Sequence, residues 1–156
     1  MRCLMQASRR VAVMLMLLAA VVAGRTAAAF DLFSVKEPVY AVVNEVLLVG
    51  EAIGHWDRAG TITVHSTLDA SLVCSGSFRF THARRGVATI QCSDGSVGDL
   101  EFDALGVVSG HGSGTTSKGP VSFTFGLSPA EATPYLNLPK GKKILVTEDG
   151  PKLQDA

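Results

Sequence analysis

Four histidines, His55, His65, His82 and His111, have the widest chemical reach in this chain, because imidazole serves both as a general base and as a metal ligand. No two of them have the H-x-H or H-x-x-x-H spacing that would put paired imidazoles on one strand or helix face. His65 falls on the polar side of an alternating segment and His82 at a turn, so each is expected to be a lone surface residue. Asp94-Gly95-Ser96 followed by Asp99, Glu101 and Asp103 has enough carboxylates for calcium, but it lacks the D-x-D-x-D-G spacing and the closing Glu. Acids at every second position splay from a wet sheet face, and Asp94-Gly95 reads as a turn. The glycines at 106, 110, 112 and 114 lie in neither a helix-opening G-x-G-x-x-G nor a G-K-S/T loop. Gly110, Gly112 and Gly114 share one strand face instead, where a missing side chain lets a ring or a neighbouring backbone come close.

No Ser sits in G-x-S-x-G, and no Ser/His/Asp order is legible. No catalytic, metal or cofactor-binding residue is therefore assigned, and the chain is expected not to be an enzyme. The rival reading is a small hydrolase using His111 or His65 as a base in a cleft. The candidate binding surface is Trp56, Ser109, His111 and Ser113. Trp56, the single tryptophan, lies between two strands with His55, Asp57 and Arg58, and it is expected in the core because Trp is usually largely buried.

The elements that must position these residues are strands. From residue 45 to about 127 the chain alternates with period two, and Gly, Ser, Asp and Thr punctuate it. In 71–82, Leu72, Cys74, Gly76, Phe78 and Phe80 share a core face, and Ser75, Ser77 and Arg79 share a wet one. In 86–92, Gly86, Ala88, Ile90 and Cys92 share the core face. Further strands are expected over 46–54, 61–65, 99–103, 107–115 and 121–126. About seven short strands with turns at this spacing indicate an all-β fold, a small antiparallel barrel or sandwich. Residues 30–44 read as an N-terminal arm, because Pro38 breaks a long helix. Residues 129–156, with Pro129, Pro134, Pro139 and Pro151, read as an irregular tail containing one edge strand over 143–147.

The cysteines fit this frame. Cys74 and Cys92 remain once Cys3 is set aside, and without C-x-x-C spacing an even pair in an oxidising compartment forms a disulfide. Keeping core faces together in an antiparallel hairpin requires Cys74 opposite Cys92, Gly76 opposite Ile90, Phe78 opposite Ala88 and Phe80 opposite Gly86. The turn then falls within 81–85.

The compartment follows from the first 29 residues. Arg2, Arg9 and Arg10 form a basic front end, Val11 to Gly24 is an unbroken apolar run of 14 residues, and Ala27-Ala28-Ala29 supplies small residues before Phe30. This is the pattern of a cleavable signal peptide, with the cut near Ala29/Phe30. A membrane span needs roughly 17–25 residues, so a permanent anchor is the weaker reading. Ser8-Arg9-Arg10 leaves both the ordinary export route and the twin-arginine route open. Four of the 14 basic residues and none of the acids lie in the first 29 residues, so cleavage leaves 127 residues with net charge −4. That chain is one domain. It has no basic stripe for nucleic acid, and Lys140, Lys142 and Lys143 read as a solvated run. The expected product is a periplasmic or secreted domain that binds a protein, glycan or lipid component of the envelope or its surroundings.

The succession Cys74-Ser75-Gly76-Ser77-Phe78, Cys92-Ser93-Asp94-Gly95, Gly110-His111-Gly112-Ser113-Gly114 and Phe123-Thr124-Phe125-Gly126 resembles uncharacterised small exported β-domain proteins of proteobacteria, a likeness that implies the fold and no activity. Leu72-Val73-Cys74-Ser75-Gly76 and Ser109-Gly110 bear a fainter likeness to C-type lysozyme inhibitors, which are small exported β-barrels. That likeness implies a protein inhibitor. The chain departs from the family in lacking its S-A-S-G run with the following Tyr and its late Lys-Gly strand.

Overall fold

In the computed structural model, residues 34–156 are described. The expected signal segment, with Cys3 and the cleavage point, lies outside the described residues. Eight strands follow in chain order: β1 (Val35–Val43), β2 (Val46–Gly54), β3 (Ala59–Ser66), β4 (Val73–Phe80), β5 (Arg85–Cys92), β6 (Val97–Ala104), β7 (Gly110–Thr116) and β8 (Gly119–Phe125). Each pairs antiparallel with the next, and β8 pairs with β1 to close the barrel. Closure leaves no free edge on these eight strands. The all-β barrel expected from the alternation is thus present, as a barrel rather than a sandwich.

The alternation works most plainly in β3 and β6, where every second residue, from Gly60 to Ser66 and from Gly98 to Ala104, is buried. The inward faces gather Val39, Ala41, Leu48, Ala52, Ile62, Val64, Ala88, Ile90, Leu100, Phe102, Val121 and Phe123 into one apolar core. A small barrel tapers, so large inward residues must meet small ones. Gly60 lies opposite Phe78, Gly86 opposite Phe102, and Gly110 opposite Phe125. A Cβ built on any of these three glycines would lie 2.6 Å or less from the facing ring. Phe102 sits at the centre of this packing, edge-on to Phe80, Phe125 and Phe78 at 5.0, 5.6 and 6.1 Å between ring centres. Two interior voids, about 40 and 20 Å³, are lined by apolar side chains alone.

The β4–β5 hairpin has the expected register: Cys74 faces Cys92, Gly76 faces Ile90, Phe78 faces Ala88 and Phe80 faces Gly86. The two cysteines form a disulfide buried at one end of the barrel. The turn at the other end of this hairpin closes with the Thr81 and His82 N–H groups both donating to the Arg85 carbonyl.

Three expectations are corrected. Of the expected N-terminal arm over 30–44, Val35–Val43 is strand β1, hydrogen-bonded to β2 on one side and β8 on the other. Pro38 is tolerated because its backbone faces β8 just beyond the first β1–β8 pair, Val39 with Phe125. Residues 129–156 are not irregular. Ser128 caps the short helix α1 (Pro129–Ala132) through a capping box with Glu131, with Pro129 in the first turn, where its missing N–H costs nothing. A single 3₁₀ turn follows (Thr133–Tyr135), and then a hairpin of β9 (Lys142–Thr147) and β10 (Gly150–Asp155). This segment packs Ala132, Leu136 and Ile144 on the outer face of the barrel, against Tyr40, Val42 and Leu47. The Asn137 N–H donates to Ser122 Oγ at 2.8 Å and ties the segment to β8. The strand count rises accordingly from about seven to eight in the barrel and two outside it.

The β1–β2 turn carries a correctable strain. Asn44 and Glu45 both have positive φ, 48° and 67°. That is the type I′ geometry, in which the second position favours glycine. Glu45→Gly is expected to raise the unfolding free energy by about 0.5–1 kcal/mol, read as a higher urea midpoint at unchanged slope.

Candidate binding surface

The barrel has two chemically different ends. The end holding the disulfide carries the turns after β1, β3, β5 and β7. Two of its turn acids, Asp69 and Asp94, are hydrogen-bonded. The Asp69 carboxylate accepts from the Ser71 hydroxyl and N–H, which lowers its pKa. Asp94 is held well below the usual carboxylate range by hydrogen bonds from Lys118, then from the Ser96 hydroxyl and N–H. Both are turn residues whose serine partners follow two positions later, a spacing that closes the turn on itself.

The opposite end, here the rim, is built from the β2–β3 loop (55–58), the β4–β5 loop (81–84) and the β6–β7 loop (105–109). Two arginines rivet these loops together. Arg58 donates through Nη2 to the carbonyls of His82 and Ala83 at 2.8 and 2.9 Å, and its guanidinium lies 4.7 Å above the Phe80 ring. Arg84 donates through Nε and Nη2 to the Ala104 carbonyl at 3.0 and 2.8 Å, and through Nη2 to that of Leu105. Arg58 itself has a φ of 64°, a left-handed conformation that a non-glycine residue holds only when its surroundings impose it. The Ser109 carbonyl accepts from the N–H groups of both Leu105 and Gly106 and closes the third loop.

This rim presents apolar side chains to solvent. Trp56 is 86% exposed and Val107 96%, and Leu105 and Val108 are exposed beside them. The expectation that Trp56 fills the core is therefore corrected. It stands in a four-residue loop outside the strand ladder, and the interior beneath is already occupied by phenylalanines. The strand expected over 107–115 begins only at Gly110, which leaves Val107 and Val108 in the loop.

Of the four candidate residues, Trp56 and Ser109 lie on the rim. His111 lies just below it on the outer wall, its ring stacked on Tyr135 at 4.4 Å. Ser113 is further down β7, facing outward between Glu101 and Ser122. The four do not converge on one point. Sequence reasoning missed Val107, Arg58 and Arg84. The available signal was Leu105-Gly106-Val107-Val108, an apolar stretch that holds a glycine and does not alternate.

The histidines are spread over two rim loops and two strands, and no group of three metal-ligating side chains forms among the described residues. A trough of about 520 Å³ crosses the outer face of β4, β5 and β6, lined by Ser75, Ser77, Thr89, Gln91 and Asp99, with no imidazole in its wall. Thr124, whose hydroxyl is buried without a hydrogen-bond partner, lies opposite both Tyr40 and His111 but is fully enclosed. No family model, curated protein or solved structure matches this chain. What the rim offers is a pre-shaped surface of exposed rings and branched chains on loops whose backbones are tied to one another, the arrangement that limits the entropy lost on binding.

Proposed function

We propose that this chain is an exported β-barrel module that recognises an envelope or extracellular component through the loops of one barrel end and catalyses no reaction. The observation that carries this reading is the rim itself. Trp56 and Val107 project from loops clamped by Arg58 and Arg84, above an interior packed with phenylalanines. Exposed apolar groups held this rigidly raise the cost of the unbound state, which a partner relieves. The basic, apolar and alanine-rich stretches before Phe30 support export.

Two measurements test the proposal. Mass spectrometry of the protein from its producing cells should find an N-terminus at Phe30, give or take two residues, outside the cytoplasm. An intact Met1 chain in the cytoplasm would defeat the export reading. The fraction of protein retained on washed envelopes should fall for Val107→Asp and stay unchanged for Leu68→Asp, which alters an 81% exposed leucine at the disulfide end. Equal retention of the parent and Val107→Asp would defeat recognition through the rim.

A further inference from the structure

The partner of the rim can be narrowed by its chemistry, on the basis of the recognition reading above. Apolar groups and positive charge occur together there. Trp56 and Val107 stand on two separate loops of the same end, accompanied by Leu105 and Val108. Trp is the side chain best suited to the boundary between headgroups and acyl chains, being apolar over its rings and polar at its N–H.

Arg58 and Arg84 supply the charge. Their guanidinium groups are fixed by backbone carbonyls, and neither makes an ion pair among the described residues, so their positive charge is held in place without an acid to neutralise it. Asp57 is the one acid within these three loops. At the far end Glu45, Asp69 and Asp94 stand in the turns with Lys118 as the lone cation, so the charge is polarised along the barrel.

We propose that the rim docks on an anionic phospholipid bilayer surface, with Trp56 and Val107 entering the headgroup layer and Arg58 and Arg84 facing lipid phosphates. Such docking is peripheral and reversible, because it combines a small apolar area with a few charges.

The single tryptophan makes the test direct. The protein, with the N-terminus it carries in its producing cells, is mixed with vesicles of equal parts phosphatidylglycerol and phosphatidylcholine. Trp56 emission should shift to the blue and be quenched by brominated acyl chains. Vesicle co-sedimentation should drop about tenfold for Val107→Asp and for Trp56→Ala, weaken with added salt, and stay at the parent value for Leu68→Asp. All three altered side chains are exposed, and matching thermal midpoints confirm that the variants are folded. Unchanged Trp56 emission, equal binding to pure phosphatidylcholine, or an equal loss in Leu68→Asp would each overturn the lipid proposal. If the vesicles give no response while Val107→Asp still loses envelope retention, rim recognition stands and its partner is not the lipid. If Val107→Asp changes neither readout, both proposals fall.

Discussion

The Cys74→Ala, Cys92→Ala double variant is expected to unfold about 10 °C below the parent. The bond joins residues 18 apart in sequence. In the chain-entropy model, a loop of that length restricts the unfolded state by roughly 3 kcal/mol. For a domain of this size, each kcal/mol lost lowers the midpoint by about 3–5 °C. The native state contributes little to the loss, because both side chains already point into the apolar core and are 1% and 8% exposed. Alanine at both positions leaves no buried hydroxyl behind, so the comparison isolates the cross-link. Thermal unfolding of the parent with and without reductant gives an independent check. The reduced parent should melt with the double variant, and identical midpoints for the reduced and oxidised parent would show that the bond contributes nothing.

The second large effect is overpacking at the glycine face. Gly112→Val is expected to cost about 3 kcal/mol, the upper end of the usual range for overpacking. A Cβ at position 112 would fall 2.2 Å from the Glu101 carbonyl oxygen and 2.6 Å from two atoms of the Phe123 ring. The first contact is with the backbone of the neighbouring strand β6, which cannot move without disturbing the ladder it belongs to. Ser113→Val, one residue along and pointing outward, is the control. It adds the same branched side chain to the same strand, where β propensity favours it. The urea midpoint should fall sharply for the first variant and stay level or rise for the second. A level midpoint for Gly112→Val would contradict an inward-facing glycine row.

These two expectations rest on the part of the fold that was most legible. Cys74, Gly76, Phe78 and Phe80 alternate with Ser75, Ser77 and Arg79, so one face of β4 had to be the core face. The same holds for Gly86, Ala88, Ile90 and Cys92 in β5. Pairing two such strands in a hairpin permits no odd register, since a slip of one residue would turn every phenylalanine to solvent. The observed pairs follow from that constraint. Gly110, Gly112 and Gly114 were legible for the same reason, as residues of one strand face.

β1 gave no such signal, and β2, although expected as a strand over 46–54, did not show in its first half which face was inward. Val39 to Val43 and Val46 to Val49 are unbroken apolar runs, because both of their faces are covered, the inner by the barrel core and the outer by the C-terminal segment. Runs of this kind mark strands buried on two sides, but which segment does the covering cannot be read locally. The tail was obscured in turn by its prolines. Pro129 opens a helix rather than breaking one, and Leu136 and Ile144 acquire their meaning only from Tyr40, Val42 and Leu47, about a hundred residues earlier in the chain.

By itself, then, the sequence determined the β class, the side of each alternating strand that faces inward, the disulfide and the hairpin register it requires. Each of these follows from period-two geometry within one strand or between neighbours. Only the tertiary structure decided the closure of β1 on β8, the packing of the tail on the outer wall, and the placing of Trp56 and Val107 on one clamped rim. Closure depends on the summed twist and stagger of eight strands. The exposure of Trp56 depends on whether other side chains have already filled the space beneath it, and those come from β4, β6 and β8, not from its own loop.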